Sequence, residues 1–323
     1  MLSVLALCVA GASCAVLTPL VIVGLRRAGR VDIPNERSLH DAHLPRGGGI
    51  AIVASVVAAV FLVGSLQGIV VHLLLIAVAL AAVGLLDDRA GLSPVARLGT
   101  QVSAGGLVGY TVGLATGQTP TLMFVAVVAM TFGTNAFNFM DGINGISGIH
   151  CVLFSLVIGV ELMRLDDDNG AALAFALLGA SLTFIPYNFP RARVFLGDVG
   201  SYFIGGMLAS LAVYAVAAGA NVVIVVASFG YYIVDTSTTV LLRLRRGENI
   251  LAAHRDHMYQ RLVRAGCSHV MSALTATGLS VFGLLTALGT SQLVDRLTSL
   301  LLVFAALVAA VVLVRRAISG LAE

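Results

Sequence analysis

TPTLMFVAVVAMTFGTNAFNFMDGINGISGIHCVLFSLVIGVELM, residues 119–163, decides the fold. Two apolar runs, at about 119–137 and 145–163, are each close to the roughly 20 residues a helix needs to cross bilayer hydrocarbon. Between them lies a short island holding Asn135, Asn138, Asp141, Gly142, Asn144 and Gly145. Neither lipid nor a packed core accepts such groups without partners, so the island is expected to bind something polar.

The rest of the chain repeats this alternation. Of 323 residues, 59% are apolar and 11% charged, against about 25% charged in soluble domains. A soluble enzyme or binding module is excluded. Apolar stretches recur at about 1–25, 49–64, 70–86, 98–114, 119–137, 145–163, 171–187, 199–217, 221–241, 268–288 and 297–314. They predict one all-α polytopic domain over residues 1–323, with about 11 transmembrane helices. The first run carries its charges behind it (Arg26, Arg27, Arg30), unlike a cleaved signal peptide, and reads as a span. The four cysteines (Cys8, Cys14, Cys151, Cys267) lie in or beside apolar runs without metal-ligand spacing and read as small hydrophobes.

Charge gives the orientation. All 19 basic residues are arginine; threading the spans puts 17 on one side and only Arg164 and Arg296 on the other. The positive-inside rule makes the rich side cytoplasmic, with a periplasmic N-terminus and a cytoplasmic C-terminus. The polar islands then share the cytoplasmic face, at 31–49, 84–101, 135–148, 191–201 and 243–264. A transporter would more often hold its polar groups at mid-membrane on broken helices.

Each island has a chemical and a plainer reading. Asp87 and Asp88 follow an apolar run; neighbouring helical side chains diverge by about 100°, so one can face a cation while the other reaches a neighbour. Otherwise they form a solvated helix end. Asp198, in FLGDVGS, either caps the next helix or serves a metal or phosphate. Asn138, Asp141 and Asn144, three apart, form a polar stripe or an interhelical hydrogen-bond network. Arg46 beside Gly47, Gly48 and Gly49 can hold a phosphate or merely enter the next span. His254, Arg255 and His257 fit diphosphate binding better than a transition-metal site, although basic runs also serve topology and lipid contact. Carboxylates, amides and arginines at a lipid interface suggest Mg²⁺-assisted phosphoryl transfer, with a lipid phosphate attacking the phosphorus nearest a sugar.

Five segments carry a specific resemblance: DIPNERSLHDAHLPRGGG (32–49), GLLDDRAGLSPVARLGTQ (84–101), NAFNFMDGINGISG (135–148), FLGDVGS (195–201) and HRDHMYQRL (254–262). In kind and order the chain resembles the polyprenyl-phosphate sugar-1-phosphate transferases, a family that includes the phospho-N-acetylmuramoyl-pentapeptide transferases. The resemblance implies catalytic carboxylates at Asp87, Asp88 and Asp198, with Asp87 favoured for the lipid phosphate. It implies metal ligation by Asp198, with Asp88 and Asp141 beside it. Asn138, Asp141, Asn144, Arg46, His254, Arg255 and His257 would line the nucleotide-sugar pocket. The cofactor would be Mg²⁺, or Mn²⁺ in its place, and the partners a UDP-N-acetylhexosamine, undecaprenyl phosphate and membrane lipids, with no nucleic acid. The location would be the bacterial inner membrane.

Three positions depart from the family pattern. Asn144 stands where the family has a second aspartate, and Arg97 where it has lysine. The His-Arg-Asp-His form of the last motif looks more like the branch that initiates O-antigen or capsule repeats. The alternatives are muramoyl-pentapeptide transfer, a lipid-linked sugar transporter and a non-catalytic assembly scaffold. A transporter would need an intramembrane ionic pathway, for which Glu161 and Asp235 are the few acidic candidates. Gly105, Gly106 and Gly109 permit close helix packing, including that of a homodimer.

Overall fold

A computed structural model describes residues 1–32, 43–64, 68–249 and 254–320. Parts of two predicted site segments, 33–42 and 250–253, lie outside the described residues. The elements are helix α1 (Leu2–Arg27), a small antiparallel pair β1 (Val31–Asp32) and β2 (Leu44–Pro45), then α2 (Gly49–Val63), α3 (Ile69–Ala90), α4 (Pro94–Thr116), α5 (Thr119–Met140), α6 (Ile146–Met163), α7 (Asp168–Asn188), α8 (Gly197–Ala217), α9 (Val222–Ser228), α10 (Gly230–Arg245), α11 (Met258–Arg264), α12 (His269–Thr290) and α13 (Arg296–Gly320).

Every apolar stretch read from the sequence is helical, but not all have membrane length and composition. Among the described residues eight helices do: α1, α3, α5, α6, α7, α8, α12 and α13. The pair α9 and α10, bent by 63°, makes a ninth if counted as one span. Two of the expected 11 fall short for different reasons. Helix α2 has 15 residues, a rise of about 22 Å against roughly 30 Å of hydrocarbon. Helix α4 is long enough but carries Arg97, Thr100, Gln101 and Ser103 in its first half.

Helix α8 is the axis of the bundle. Its apolar window is 83% buried, against 28% for α1 and 22% for α13, which form the outer wall. Close approach to this axis depends on missing side chains. A Cβ on Gly84 of α3 would collide with the Asp198 carbonyl, and one on Gly49 of α2 with the backbone of Gly200. Both contacts lie at the end of the bundle that carries the polar islands. Gly105 and Gly109 of α4 let α5 approach within the same chain, at Val127 and Met123, whereas Gly106 faces open space. At the far end of α6, Glu161 accepts from the Asn221 backbone N–H (2.9 Å) and from Arg164 (3.2 Å). It therefore acts as a local tie.

Candidate active site

The close packing of α3 on α8 brings the paired aspartates beside Asp198. Their divergence along the helix then separates them. Asp87 turns inward: its Oδ1 accepts from the Leu92 N–H (2.8 Å), and its Oδ2 accepts from the Tyr202 hydroxyl (2.8 Å) and lies 2.8 Å from Arg97 Nε. Asp88 turns toward the bundle end, where its Oδ2 accepts from the Val199 N–H (3.0 Å) and its Oδ1 from Arg46 Nε (2.8 Å).

Arg46 links this carboxylate to the next. Its Nη2 donates to Asp198 Oδ1 (3.0 Å), which also accepts from Asn138 Nδ2 (2.8 Å). Asn138 Nδ2 lies 3.0 Å from Ser201 Oγ as well. The backbone fixes this arrangement. Phe195 donates to the Pro45 carbonyl (2.8 Å), Gly48 to that of Phe195 (2.8 Å) and Gly49 to that of Leu196 (2.8 Å), so the PRGGG and FLGDVG segments run side by side. Gly197 has φ +77, and a Cβ there would meet Asp88 Oδ2 and the Gly47 backbone, a conformation that favours glycine. Burial by itself would lower the pKa of the Arg46 guanidinium. Asp198, Asp88 and Asp32 outweigh it and hold the pKa above its ordinary value. Arg46 and Asp88 also line a cleft between the ends of α1 and α3, with Arg30, Arg89 and the apolar Leu25 and Leu85.

The remaining residues of the central island divide. Asp141, just past the end of α5, has its pKa pushed up to about 7, chiefly by burial and further by the charges of Asp198 and Asp88, against the opposing effect of Arg46. Asn144 Nδ2 donates to the Pro190 carbonyl (3.1 Å), a bond that an ionised aspartate could not make. Asn135 pairs with Gln101 of α4 (2.6 Å) and its own helix (2.8 Å), which fits the interhelical network.

The histidine-bearing loop reaches the same end of the bundle. Tyr259 donates to the Phe139 carbonyl (2.8 Å), and the His257 ring stacks on Phe139 with centroids 5.9 Å apart. His257 is buried. His254, partly buried, lies against it at 5.0 Å between centroids. Burial, helped by the charge of nearby Arg243, lowers the His254 pKa. Asp256 is held by Arg243 (2.8 Å). Arg255 Nη2 and His257 Nε2 are buried without a hydrogen-bond partner among the described residues.

No group of three or more His, Cys, Asp or Glu among the described residues is placed to cage an ion. Asp88 and Asp198, bridged by a guanidinium, nonetheless suit Mg²⁺, which uses one or two carboxylates and takes its other oxygens from water and substrate phosphates.

Comparison with known proteins bears directly on this cluster. The sequence matches the family described as Glycosyl transferase family 4 over residues 70–216. It is 31% identical over 305 residues to the decaprenyl-phosphate N-acetylglucosaminephosphotransferase of Mycobacterium tuberculosis, covering 80% of this chain and 75% of the relative. The chain belongs to the polyprenyl-phosphate sugar-1-phosphate transferases. Other members are similar to this transferase: a probable undecaprenyl-phosphate N-acetylglucosaminyl 1-phosphate transferase of Bacillus subtilis (28%, 80% of this chain and 76% of the relative) and a phospho-N-acetylmuramoyl-pentapeptide-transferase of Symbiobacterium thermophilum (32%, 61% and 69%). The family match contains Asp87, Asp88, Asn138, Asp141, Asn144 and Asp198. Arg46 and the histidine loop lie outside it.

The structure adds residues that sequence reading left aside. Tyr202, which holds Asp87, lies four positions after Asp198 on α8, so the helical period offered a signal. Asp235, which holds His257, and Arg315, which braces Asp235, offered none stronger than their charge in apolar helices.

Proposed function

We propose that this transferase moves an N-acetylhexosamine 1-phosphate from a UDP-sugar to undecaprenyl or decaprenyl phosphate, releasing UMP. The observation that carries the reading is the meeting of Arg46, Asp88, Asp198 and Asn138 at one end of the bundle, beside a cleft with basic and apolar walls. The printed activities of the relatives support the sugar class and the acceptor class. The abundance of arginine in the polar segments that meet at this end of the bundle supports a cytoplasmic site in a bacterial inner membrane. The His254 to His257 form supports an O-antigen or capsule-initiating role within that reaction.

In the proposed mechanism an oxygen of the lipid phosphate attacks the sugar-linked phosphorus of the donor. A new P–O bond forms as the bridging P–O bond breaks, and UMP leaves with that oxygen. The attacking phosphate is already anionic, so the protein's work is alignment and charge neutralisation. Arg46 would exchange carboxylate oxygens for phosphate oxygens, a match to its planar fork. Asp88 and Asp198 would hold Mg²⁺, or Mn²⁺ in its place, with Asp141 adjacent; the ion would supply neutralisation of the diphosphate. Asp87, favoured from the resemblance for the lipid phosphate, has both oxygens engaged by Leu92, Tyr202 and Arg97 and would instead act from behind by fixing the α3 end. Asn138 would orient Asp198. His254, Arg255 and His257 would meet the nucleotide-sugar, the buried Arg255 Nη2, without a partner among the described residues, being available to a phosphate oxygen.

The test is UMP release by the purified protein with undecaprenyl phosphate, Mg²⁺ and a panel of UDP-N-acetylhexosamines that also contains UDP-muramoyl-pentapeptide. Release with an N-acetylhexosamine, abolished by EDTA and restored by Mg²⁺, is the expected result. Turnover of the pentapeptide alone would move the protein to peptidoglycan synthesis. Silence across the panel from folded protein would reject the transfer.

A further inference from the structure

The proposed transfer gives no task to a carboxylate buried within the bent span. Asp235 on α10 is fully buried, where an unpaired charge is costly, and three donors converge on it. His257 Nδ1 lies 2.9 Å from its Oδ2, while Oδ1 accepts from the Met258 N–H (2.9 Å) and from Arg315 Nη2 (3.0 Å). Arg315 comes from α13 and also donates to Thr239 Oγ1 (2.9 Å), one turn beyond Asp235. Three helical elements therefore meet on one carboxyl group, and what they orient is an imidazole.

The far edge of that imidazole is the informative part. The His257 ring packs against Phe139 (5.9 Å, 27° between planes), Tyr259 (6.2 Å, 14°) and His254 (5.0 Å), and Phe139 follows Asn138 directly. The ring is thus pressed against the segment that carries Asn138 and Asp141. Its Nε2 is buried and has no hydrogen-bond partner among the described residues. A buried polar atom without a partner is costly, and one in a ring packed against aromatic neighbours and held at its other nitrogen suits a ligand.

Charge balance sets what Nε2 can do. Arg315 on Oδ1 already offsets the negative charge of Asp235, so Oδ2 needs a hydrogen-bond donor and not a second cation. A neutral His257 donating Nδ1–H to the carboxylate satisfies both groups, and its Nε2 then carries a lone pair. A lone pair repels phosphate oxygens and accepts from a hydroxyl or an amide N–H.

We infer that Asp235, braced by Arg315, is a positioning residue that fixes His257 in the Nδ1–H tautomer, making Nε2 an acceptor for a hydroxyl or acetamido N–H of the nucleotide-sugar. This rests on the proposed transfer and narrows it: among the histidine-loop residues, His257 reads the sugar or nucleoside end of the donor and leaves the diphosphate to arginine.

The test is ¹⁵N NMR of the histidine-labelled full chain in nanodiscs, with the His257 resonances assigned by their loss in His257→Gln. The wild type is expected to show a protonated Nδ1 and a pyridine-like Nε2. In Asp235→Asn, the amide oxygen turns toward Arg315 and Met258, and its NH₂ donates to His257 Nδ1, so the protonation pattern reverses. KM for the UDP-N-acetylhexosamine should then rise about 10–100-fold, as for a lost hydrogen bond that leaves a buried partner unsatisfied, with a smaller change in kcat. Asp235→Glu should keep the wild-type tautomer and recover part of the affinity. A wild-type spectrum with Nε2–H or a doubly protonated ring overturns the inference whether or not any variant folds, as does an unchanged tautomer in Asp235→Asn. If the spectra behave as expected but no UDP-sugar is turned over, the positioning stands and the transfer reading fails.

Discussion

Arg46 sits where two carboxylates would otherwise repel one another, 2.8 Å from Asp88 and 3.0 Å from Asp198. If it hands those oxygens over when a diphosphate arrives, Arg46→Ala should lower kcat by about 10²–10³, the usual effect of losing one donor to a developing charge. Arg46→Lys should recover only part, because a point charge cannot bridge both partners as a fork does; wild-type kcat in either variant would remove Arg46 from the mechanism. Asp141 supplies a pH dependence. With its pKa at about 7, it is protonated below that pH in the metal-free protein, and a divalent cation must displace the proton. Mg²⁺ affinity should therefore fall as pH drops through 7, approaching tenfold per unit below it if Asp141 is a ligand. Asp141→Asn should flatten that slope, as calorimetry in buffers of different ionisation enthalpy would show. At this scale the sequence is informative about identities and poor on pairings. Motif residues can be named, but Asp87 meets Tyr202 across 115 positions and His257 meets Asp235 from another helix, and no local period reports such contacts. Asn144 shows the limit well: read as a missing charge, it is in the structure a donor to the Pro190 carbonyl.

Helix packing turns those residues into a site, and it hinges on Gly84 and Gly49, where α3 and α2 touch α8 backbone to backbone. Gly84→Val forces α3 away from Asp198. Overpacking of this kind costs about 1–3 kcal/mol, and it should lower the melting temperature and, by moving Asp88 from Asp198, reduce kcat more than tenfold. Gly106→Val, on the same class of small residue but facing open space, should leave both nearly unchanged; equal effects at the two positions would contradict this account of the packing. Apolar length makes the helices legible one by one. It does not reveal that α2 is short, that α4 is too polar to qualify as a span, or that α9 and α10 part at 63°, because those properties depend on which neighbours cover a polar or interrupted segment.

Across the molecule, the described parts of five islands spread from the first loop to residue 264 are gathered at one end of a bundle built on α8, with acidic ties such as Glu161 at the other. That segregation is what a reaction between a soluble nucleotide-sugar and a lipid phosphate requires, since both substrates must meet at one interface. The order of the islands can be read from the chain alone; their convergence on Arg46 and Asp198 cannot, because it is set by how helices stack. The most direct measurement follows the phosphorus itself. UDP-N-acetylhexosamine labelled with ³²P at the sugar-linked phosphate is incubated with the purified protein, undecaprenyl phosphate and Mg²⁺. The account predicts that label enters the lipid-linked product while UMP is released unlabelled, and that Asp88→Asn and Asp198→Asn, folded and membrane-inserted, each reduce the transfer at least 10²-fold, on the scale expected for removing electrostatic stabilisation of the transferred phosphoryl group. Label that never reaches the lipid, or full transfer by both variants, would contradict it.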